Sequence, residues 1–492
     1  MRQGSRLFST SDPALYIDTG CLTKSINYIH MLAEEKRNMC AFILPRLAQL
    51  ELLVYYAIWI AHSLGAFLLV YKITHNLRRP MQTWLPRSKY SFLMLKNGHF
   101  KTNAFTVVSM SEYLSVVVSS LKCMLTFAIL AVSAVVVSVF VHTEIAAWAI
   151  CISFIMKANL YAPFSSDARA YYREFNFYLY GAIKVINFCI YLTRNKITTL
   201  RESDIIRYAQ YLLYPPYTSM LIVIYEDFDM QMSKVENQQQ TEKRWPLHLS
   251  FTWELLWNLL RLIIWYFAFE LLLHVIYVHS FFNVPFPPFD RFSNYELAAT
   301  AYVNGQLFFW KYVIIFGIPS WFALFDGMSP PKPPICISRV SRYSRMWRNF
   351  DRGLYQFLKN QVYLPLMGDL NGAYLGWRRF GAMVGAFVFV LAWHGTSSNY
   401  VCWVVLSGCE LCIERIGYAI ASTSAWSKMS MVIGRRNQRR LIAFAMLATV
   451  IPGIFGVFFF LGRDGFGKLV FKKVLMDGAI DVLHLRISLK NR

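Results

Sequence analysis

Residues 342–358 read RYSRMWRNFDRGLYQFL, a stretch that gathers four arginines, one aspartate (Asp351) and five aromatic residues between long apolar segments. Trp347, Asp351, Leu354 and Leu358 recur at i, i+4, i+7 and i+11. That spacing predicts one helix over 346–361, with Asp351 on the same face as the apolar side chains and Arg348, Arg352 and Lys359 on another stripe. A carboxylate on a buried membrane face is costly unless it is paired. It is therefore either half of a structural ion pair, with Arg348 or a neighbouring helix, or a working group. Arg339, Arg342, Arg345, Arg348 and Arg352 follow one another at three or four residues and can form a connected basic surface. Cytoplasmic anchoring at lipid headgroups explains them. So does a polyphosphate ligand, whose oxygens suit guanidinium groups. Both readings put the stretch on the cytoplasmic side.

His394 is the second group with chemistry to offer. It closes an uninterrupted apolar run that starts at Phe380 and precedes the polar GTSSN. With Arg378 and Arg379 at the cytoplasmic boundary, a helix carries His394 roughly 22 Å further at 1.5 Å per residue. That is the far half of a hydrocarbon layer about 30 Å thick. A histidine there is either a satisfied interior residue or a general base, since imidazole titrates near neutral pH. A basic surface on one side and a base toward the other suit transfer from a phosphorylated cytosolic donor to an acceptor across the membrane.

The elements that must hold these groups are membrane helices. Of the 492 residues, 56% are hydrophobic and 16% charged; soluble domains carry about 25% charged residues. Mean hydropathy is +0.36. Apolar runs near 50–72, 123–141, 144–160, 251–281, 297–325, 378–395, 400–421 and 441–462, with shorter ones at 104–121, 175–192 and 205–224, give about ten to twelve membrane-embedded segments, some too short to cross alone. The expected class is an all-α polytopic membrane protein with re-entrant segments. The polar SKVENQQQTEKRW, 233–245, reads as a loop, and four prolines between Pro330 and Pro334 rule out regular helix there. Residues 1–48 mix charge and polarity without an early apolar core, so they form a separate N-terminal segment before a membrane domain over 49–492.

Charge and cysteines narrow the function. The net charge of +22 comes from 50 Lys and Arg against 28 Asp and Glu. Helix-end basic residues account for it, and no aromatic–basic module supports nucleic acid as a partner. Nine cysteines, odd in number and scattered, imply no disulfide framework. Cys409 and Cys412 have C-x-x-C spacing without a second pair, and read as small residues on a helix face. No repeat of fixed period is visible, which disfavours a transporter built of inverted repeats.

MWRNFDRGLYQFL, followed by YLP at Tyr363–Pro365 and AWHG at Ala392–Gly395, resembles the membrane-bound O-acyltransferase superfamily, most nearly its hedgehog acyltransferase branch of protein-cysteine N-palmitoyltransferases. KYVIIFGIPSWFALFDGMSPPKPPICIS (311–338) and FLGRDGFGK (460–468) carry the same likeness. It is clearest from about 300 to 470 and faint before 200. The chain departs from the pattern at YPPYTSMLIVIYEDF (214–228), where the glycine and proline of a turn are missing.

The resemblance implies helices around a central tunnel, with palmitoyl-CoA entering from the cytosol and the acceptor from the lumen. It implies His394 and Asp351 as catalytic, Trp347 and Arg348 beside the acyl-CoA, and Cys336 as a ligand to haem iron. It further implies a multi-pass protein of the endoplasmic reticulum, or else Golgi, membrane, among membrane lipid. The acceptor would be a secreted signalling protein with an N-terminal cysteine. O-acylation of a lipid or glycolipid is the nearest rival. A transporter using Asp351 and His394 as proton sites, or an inactive scaffold, stands further off.

Overall fold

A computed structural model describes residues 43–84, 121–158, 164, 168–218, 220–241, 249–276, 278, 292–337, 342–369, 374–462 and 465–477. Among these residues the secondary structure is helical, without strands. The chain divides into two compact units, 1–68 and 69–492. In the first unit the described residues, from Ile43 on, are helical and belong to α1 (Ile43–Trp84), which runs on into the second. The second unit holds α2 (Leu121–Val141), α3 (Glu144–Met156), α4 (Ala168–Arg194), α5 (Glu202–Leu213), α6 (Tyr225–Thr241), α7 (Leu249–Val275) and α8 (Asn294–Phe325). It continues with α9 (Tyr343–Phe350), α10 (Arg352–Phe357), a π turn at Leu358–Tyr363, α11 (Leu364–Met367), α12 (Leu375–His394), α13 (Ser398–Ala421), α14 (Ser424–Ala445), α15 (Leu447–Leu461) and α16 (Phe466–Val470). Seven helical stretches among the described residues are long and apolar enough to cross a membrane. The protein is an all-α, multi-pass membrane protein.

α4 is the centre of this unit, with 78% of its apolar window buried against other helices. Close approach is bought with small residues, as membrane helices require. A Cβ on Gly181 would meet the Phe127 ring of α2 at 2.4 Å, and one on Gly317 of α8 would meet Leu262 of α7 at the same distance. Two polar groups of α4 are matched inside this core: Lys184 Nζ donates to the Tyr211 and Leu212 carbonyls at 2.9 and 3.3 Å, closing the free end of α5. Gln361, in the π turn, donates to Asn187 Oδ1 at 3.1 Å and accepts from Arg194 at 2.7 Å. α4 thereby fixes the segment that follows Asp351.

Three expectations change. Residues 233–241 belong to α6, not to a loop, because Gln, Glu and Lys are good helix formers whose polarity argues only against burial. The run 205–224 is not one interrupted span: α5 stops before Pro215 and Pro216, and Met220–Ile224 continue as buried non-helical chain. The helix expected over 346–361 is broken at Asp351, which has extended backbone (φ −128°, ψ 95°). The segment 104–120 and the N-terminal residues 1–42 lie outside the described residues.

Candidate active site

Asp351 breaks the helix by capping the next one. Its Oδ1 accepts the Leu354 amide at 2.9 Å, the N-cap bond that satisfies a free donor at the start of α10. The bend brings α10 tight against the non-helical 220–224 chain: at Gly353 a Cβ would lie 2.2 Å from the Ile222 carbonyl oxygen, so only glycine fits. Asp351 is half-buried, and it makes no ion pair with Arg348 or any other described residue. Burial pushes its carboxyl up to about 6, against the opposing pull of the Leu354 and Gly353 amides. A carboxyl near neutrality can hold or release a proton at working pH. The break also takes Arg352 and Lys359 off the helix that carries Arg348, so the single arginine stripe does not form as expected. Arg348 is exposed on α9, Arg342 donates to the Tyr418 hydroxyl of α13, and Arg339 lies outside the described residues.

His394 is the last residue of α12. The chain turns at Gly395, whose φ of +100° favours glycine over any other residue. The imidazole is boxed by three rings: Tyr400 at 5.8 Å, Trp403 at 5.3 Å edge-on and Phe460 at 5.2 Å edge-on. Neither ring nitrogen has a hydrogen-bond partner among the described residues, and the side chain is only partly buried. The box fixes the ring plane through shape and leaves both nitrogens for a ligand.

Aromatic contacts join the two groups. Trp403 stacks on Trp347 (5.5 Å, 24°), which in turn meets Phe387 edge-on and Tyr343. By a second route Phe460 contacts Phe308, and Phe308 stacks on Phe350, the residue before Asp351 (5.9 Å, 2°). Trp347 and His394 are therefore brought to one aromatic cluster, with Asp351 at its edge; Asp351 and His394 share no direct bond. Trp347 Nε1 is buried without a partner, a donor left open. Beneath the Trp347–Trp403 stack, Tyr343 bonds Ser407 at 3.1 Å. One helical turn further along α13, Glu410 is buried with neither carboxylate oxygen hydrogen-bonded.

Sequence reasoning did not find Tyr400, Trp403 and Phe460. In a chain that is 17% aromatic, ring residues carry no signal until the fold brings them around a polar group. Cys336 lies in the loop that leads from the four prolines to α9. It is a half-buried thiol, and its loop is tied back by the Ile335 amide, which donates to the Asn349 carbonyl at 3.2 Å. Haem at Cys336 rests on the resemblance alone, and the mechanism below does not draw on it.

A family model described as MBOAT, membrane-bound O-acyltransferase family, matches residues 187–450, a stretch that includes Asp351 and His394. The chain is 29% identical over 342 residues to protein-cysteine N-palmitoyltransferase Rasp of Drosophila melanogaster, covering 68% of this chain and 64% of that protein. It is 28% identical over 222 residues to protein-cysteine N-palmitoyltransferase HHAT of Mus musculus, covering 44% and 43%. A mouse HHAT-like protein is 24% identical over 207 residues, covering 41% and 40%. The matches thus span under two thirds of these relatives' own length.

Proposed function

Because the chain belongs to the membrane-bound O-acyltransferase family, we propose that it transfers a palmitoyl chain from palmitoyl-CoA to the N-terminal amine of a secreted, hedgehog-like signalling protein that begins with cysteine. The observation that carries this reading is His394: an imidazole fixed by Tyr400, Trp403 and Phe460, with both nitrogens open, at the end of an apolar helix. The names of the fly and mouse relatives support the acyl donor and the protein acceptor.

In this mechanism the acceptor nitrogen attacks the thioester carbon. An α-amine has an ordinary pKa of about 8, so roughly a tenth of it is already in the neutral, attacking form near pH 7. His394 takes the amine proton as the C–N bond forms. The C–S bond then breaks, and the imidazolium returns the proton to the departing CoA thiolate. Thioester and amine become amide and thiol with no net proton change and no covalent enzyme intermediate. Trp347 Nε1, buried and unpartnered, donates to a carbonyl of the donor, and exposed Arg348 meets its phosphates. Asp351 holds α10 and the donor side of the site in place. On this reading the protein works in the endoplasmic reticulum membrane, where signal-peptide removal frees the amine, with the Golgi as the alternative.

The test is purified protein with labelled palmitoyl-CoA and three acceptors: a peptide beginning with cysteine, the same peptide N-acetylated, and a lysophospholipid. Label on the free peptide alone is expected. Label on the lysophospholipid alone would make the protein a lipid O-acyltransferase, and no transfer to any acceptor would overturn the reading.

A further inference from the structure

α14 stands apart from the bundle. It has 22 residues, and none of them is buried. Ser424–Leu461 is one helical stretch containing an apolar window long enough to cross a membrane. The packing of its neighbours excludes a crossing by α14. α13 and α15 run antiparallel: Asn399, at the start of α13, donates to the Gly462 carbonyl just past the end of α15 at 2.9 Å. Midway along, a Cβ on Gly456 would touch Trp403 at 3.7 Å and Leu406 at 3.8 Å. Further along, one on Gly453 would lie 3.3 Å from Glu410 Oε2. This register brings the end of α13 and the start of α15 to the same end of the pair. α14 joins those two points, so it leaves and re-enters on one side.

That side carries the arginines. α12 begins near Arg378 and Arg379 and ends on His394, four residues before α13 starts. The far end of α13 therefore returns to the Arg378 side, where Tyr418 accepts from Arg342. α14 adds Lys428, Arg435, Arg436, Arg439 and Arg440, all exposed, and residues 424–461 contain no acidic residue. The four arginines sit between two apolar flanks. Met431 and Val432 precede them, at 74% and 87% exposure, and Leu441, Ile442 and Phe444 follow, the last at 73%. Gly434, with φ +75° and ψ 156°, breaks the helix into two arms beside the basic cluster. No atom would crowd a Cβ there, so the backbone conformation alone calls for glycine. Apolar flanks around a basic centre, lying along one membrane face, match the boundary between acyl chains and headgroup phosphates.

We propose that α14 is an interfacial arm that binds anionic phospholipid headgroups of the leaflet on the arginine side, its flanks seated in the acyl boundary. The arm makes few contacts with the bundle, so its amides exchange through easy local opening unless lipid holds it. Headgroup binding by arginines is electrostatic and is screened by salt.

The test is hydrogen–deuterium exchange of the full chain in nanodiscs of phosphatidylcholine alone and of phosphatidylcholine with phosphatidylserine. Exchange across 424–446 is expected to slow several-fold with phosphatidylserine. High salt reverses the slowing, and the combined R435Q, R436Q, R439Q and R440Q variant abolishes it while exchange in α4 stays unchanged. The wild-type comparison of lipids and salt decides the matter even where the variant fails to fold. Equal exchange in the two lipids overturns the proposal. So does protection that palmitoyl-CoA induces in phosphatidylcholine discs and phosphatidylserine does not, since the arginines would then serve the CoA phosphates. The readout needs no catalysis and stands apart from the acyltransferase reading.

Discussion

Gly353→Ala is the most exacting perturbation of the site, because it adds one methyl group where backbone meets backbone. The new Cβ would lie 2.2 Å from the Ile222 oxygen, 3.0 Å from its carbonyl carbon and 3.1 Å from its nitrogen. Ordinary contact begins near 3.4 Å, so α10 and the 220–224 chain must separate by roughly 1 Å. No side chain can rotate away to relieve this. Overpacking costs about 1–3 kcal/mol, and a backbone clash belongs at the upper end. The same shift moves Asp351, two residues earlier, and the aromatic cluster leading to His394. A displacement of about 1 Å at a reacting geometry costs on the order of 10²-fold in rate. The assay pairs thermal unfolding in detergent with palmitoyl transfer to the cysteine peptide. Gly305→Ala is the control: Gly305 is buried in α8 but a Cβ there meets nothing within 4 Å, so helix propensity should stabilise it by up to about 1 kcal/mol. Gly353→Ala that melts and turns over like the wild type, or like Gly305→Ala, would refute the close packing of α10 on 220–224.

Two further substitutions separate the roles of Asp351 and Trp347. Asp351→Asn keeps an oxygen for the Leu354 amide and should preserve stability, whereas Asp351→Ala loses the cap at about 0.5–2 kcal/mol; denaturant melts of the two variants check this. The raised carboxyl gives the sign of the pH effect: the folded state favours the protonated form, so its stabilising contribution is complete below the ordinary value of 3.8 and is lost as pH rises through about 6. The melting temperature of the wild type relative to Asp351→Asn should accordingly fall over that interval and level off above it. Trp347→Phe keeps the stack on Trp403 but removes the open donor, and one hydrogen bond of about 0.5–1.5 kcal/mol should raise KM for palmitoyl-CoA roughly two- to tenfold with kcat little changed.

Much of this arrangement is legible in the sequence because membrane helices must be apolar throughout. The runs that become α2, α8 and α12 stand out on hydropathy alone, and His394 stands out as the polar end of one of them. The break at Asp351 does not, because the i, i+4, i+7 spacing continues through a bend as readily as through a helix. What breaks the helix is a capping bond to Leu354 and the fit of Gly353 against Ile222, and the second depends on chain more than a hundred residues away. α6 was hidden for the opposite reason: its polarity says that it is solvated and says nothing against helix. The ring box around His394 draws on α13 and α15, so no local pattern announces it.

The central claim is that His394 is the base for amide formation on an N-terminal cysteine. The most direct measurement is tandem mass spectrometry of a cysteine-terminated peptide after incubation with palmitoyl-CoA and either wild-type protein or His394→Ala. Loss of a general base costs about 10²–10⁴-fold. The wild type should place palmitate on the α-nitrogen, in a linkage that survives hydroxylamine. His394→Ala, folded to the same melting temperature, should give a product reduced by that factor. Undiminished α-nitrogen palmitoylation by His394→Ala would contradict the account.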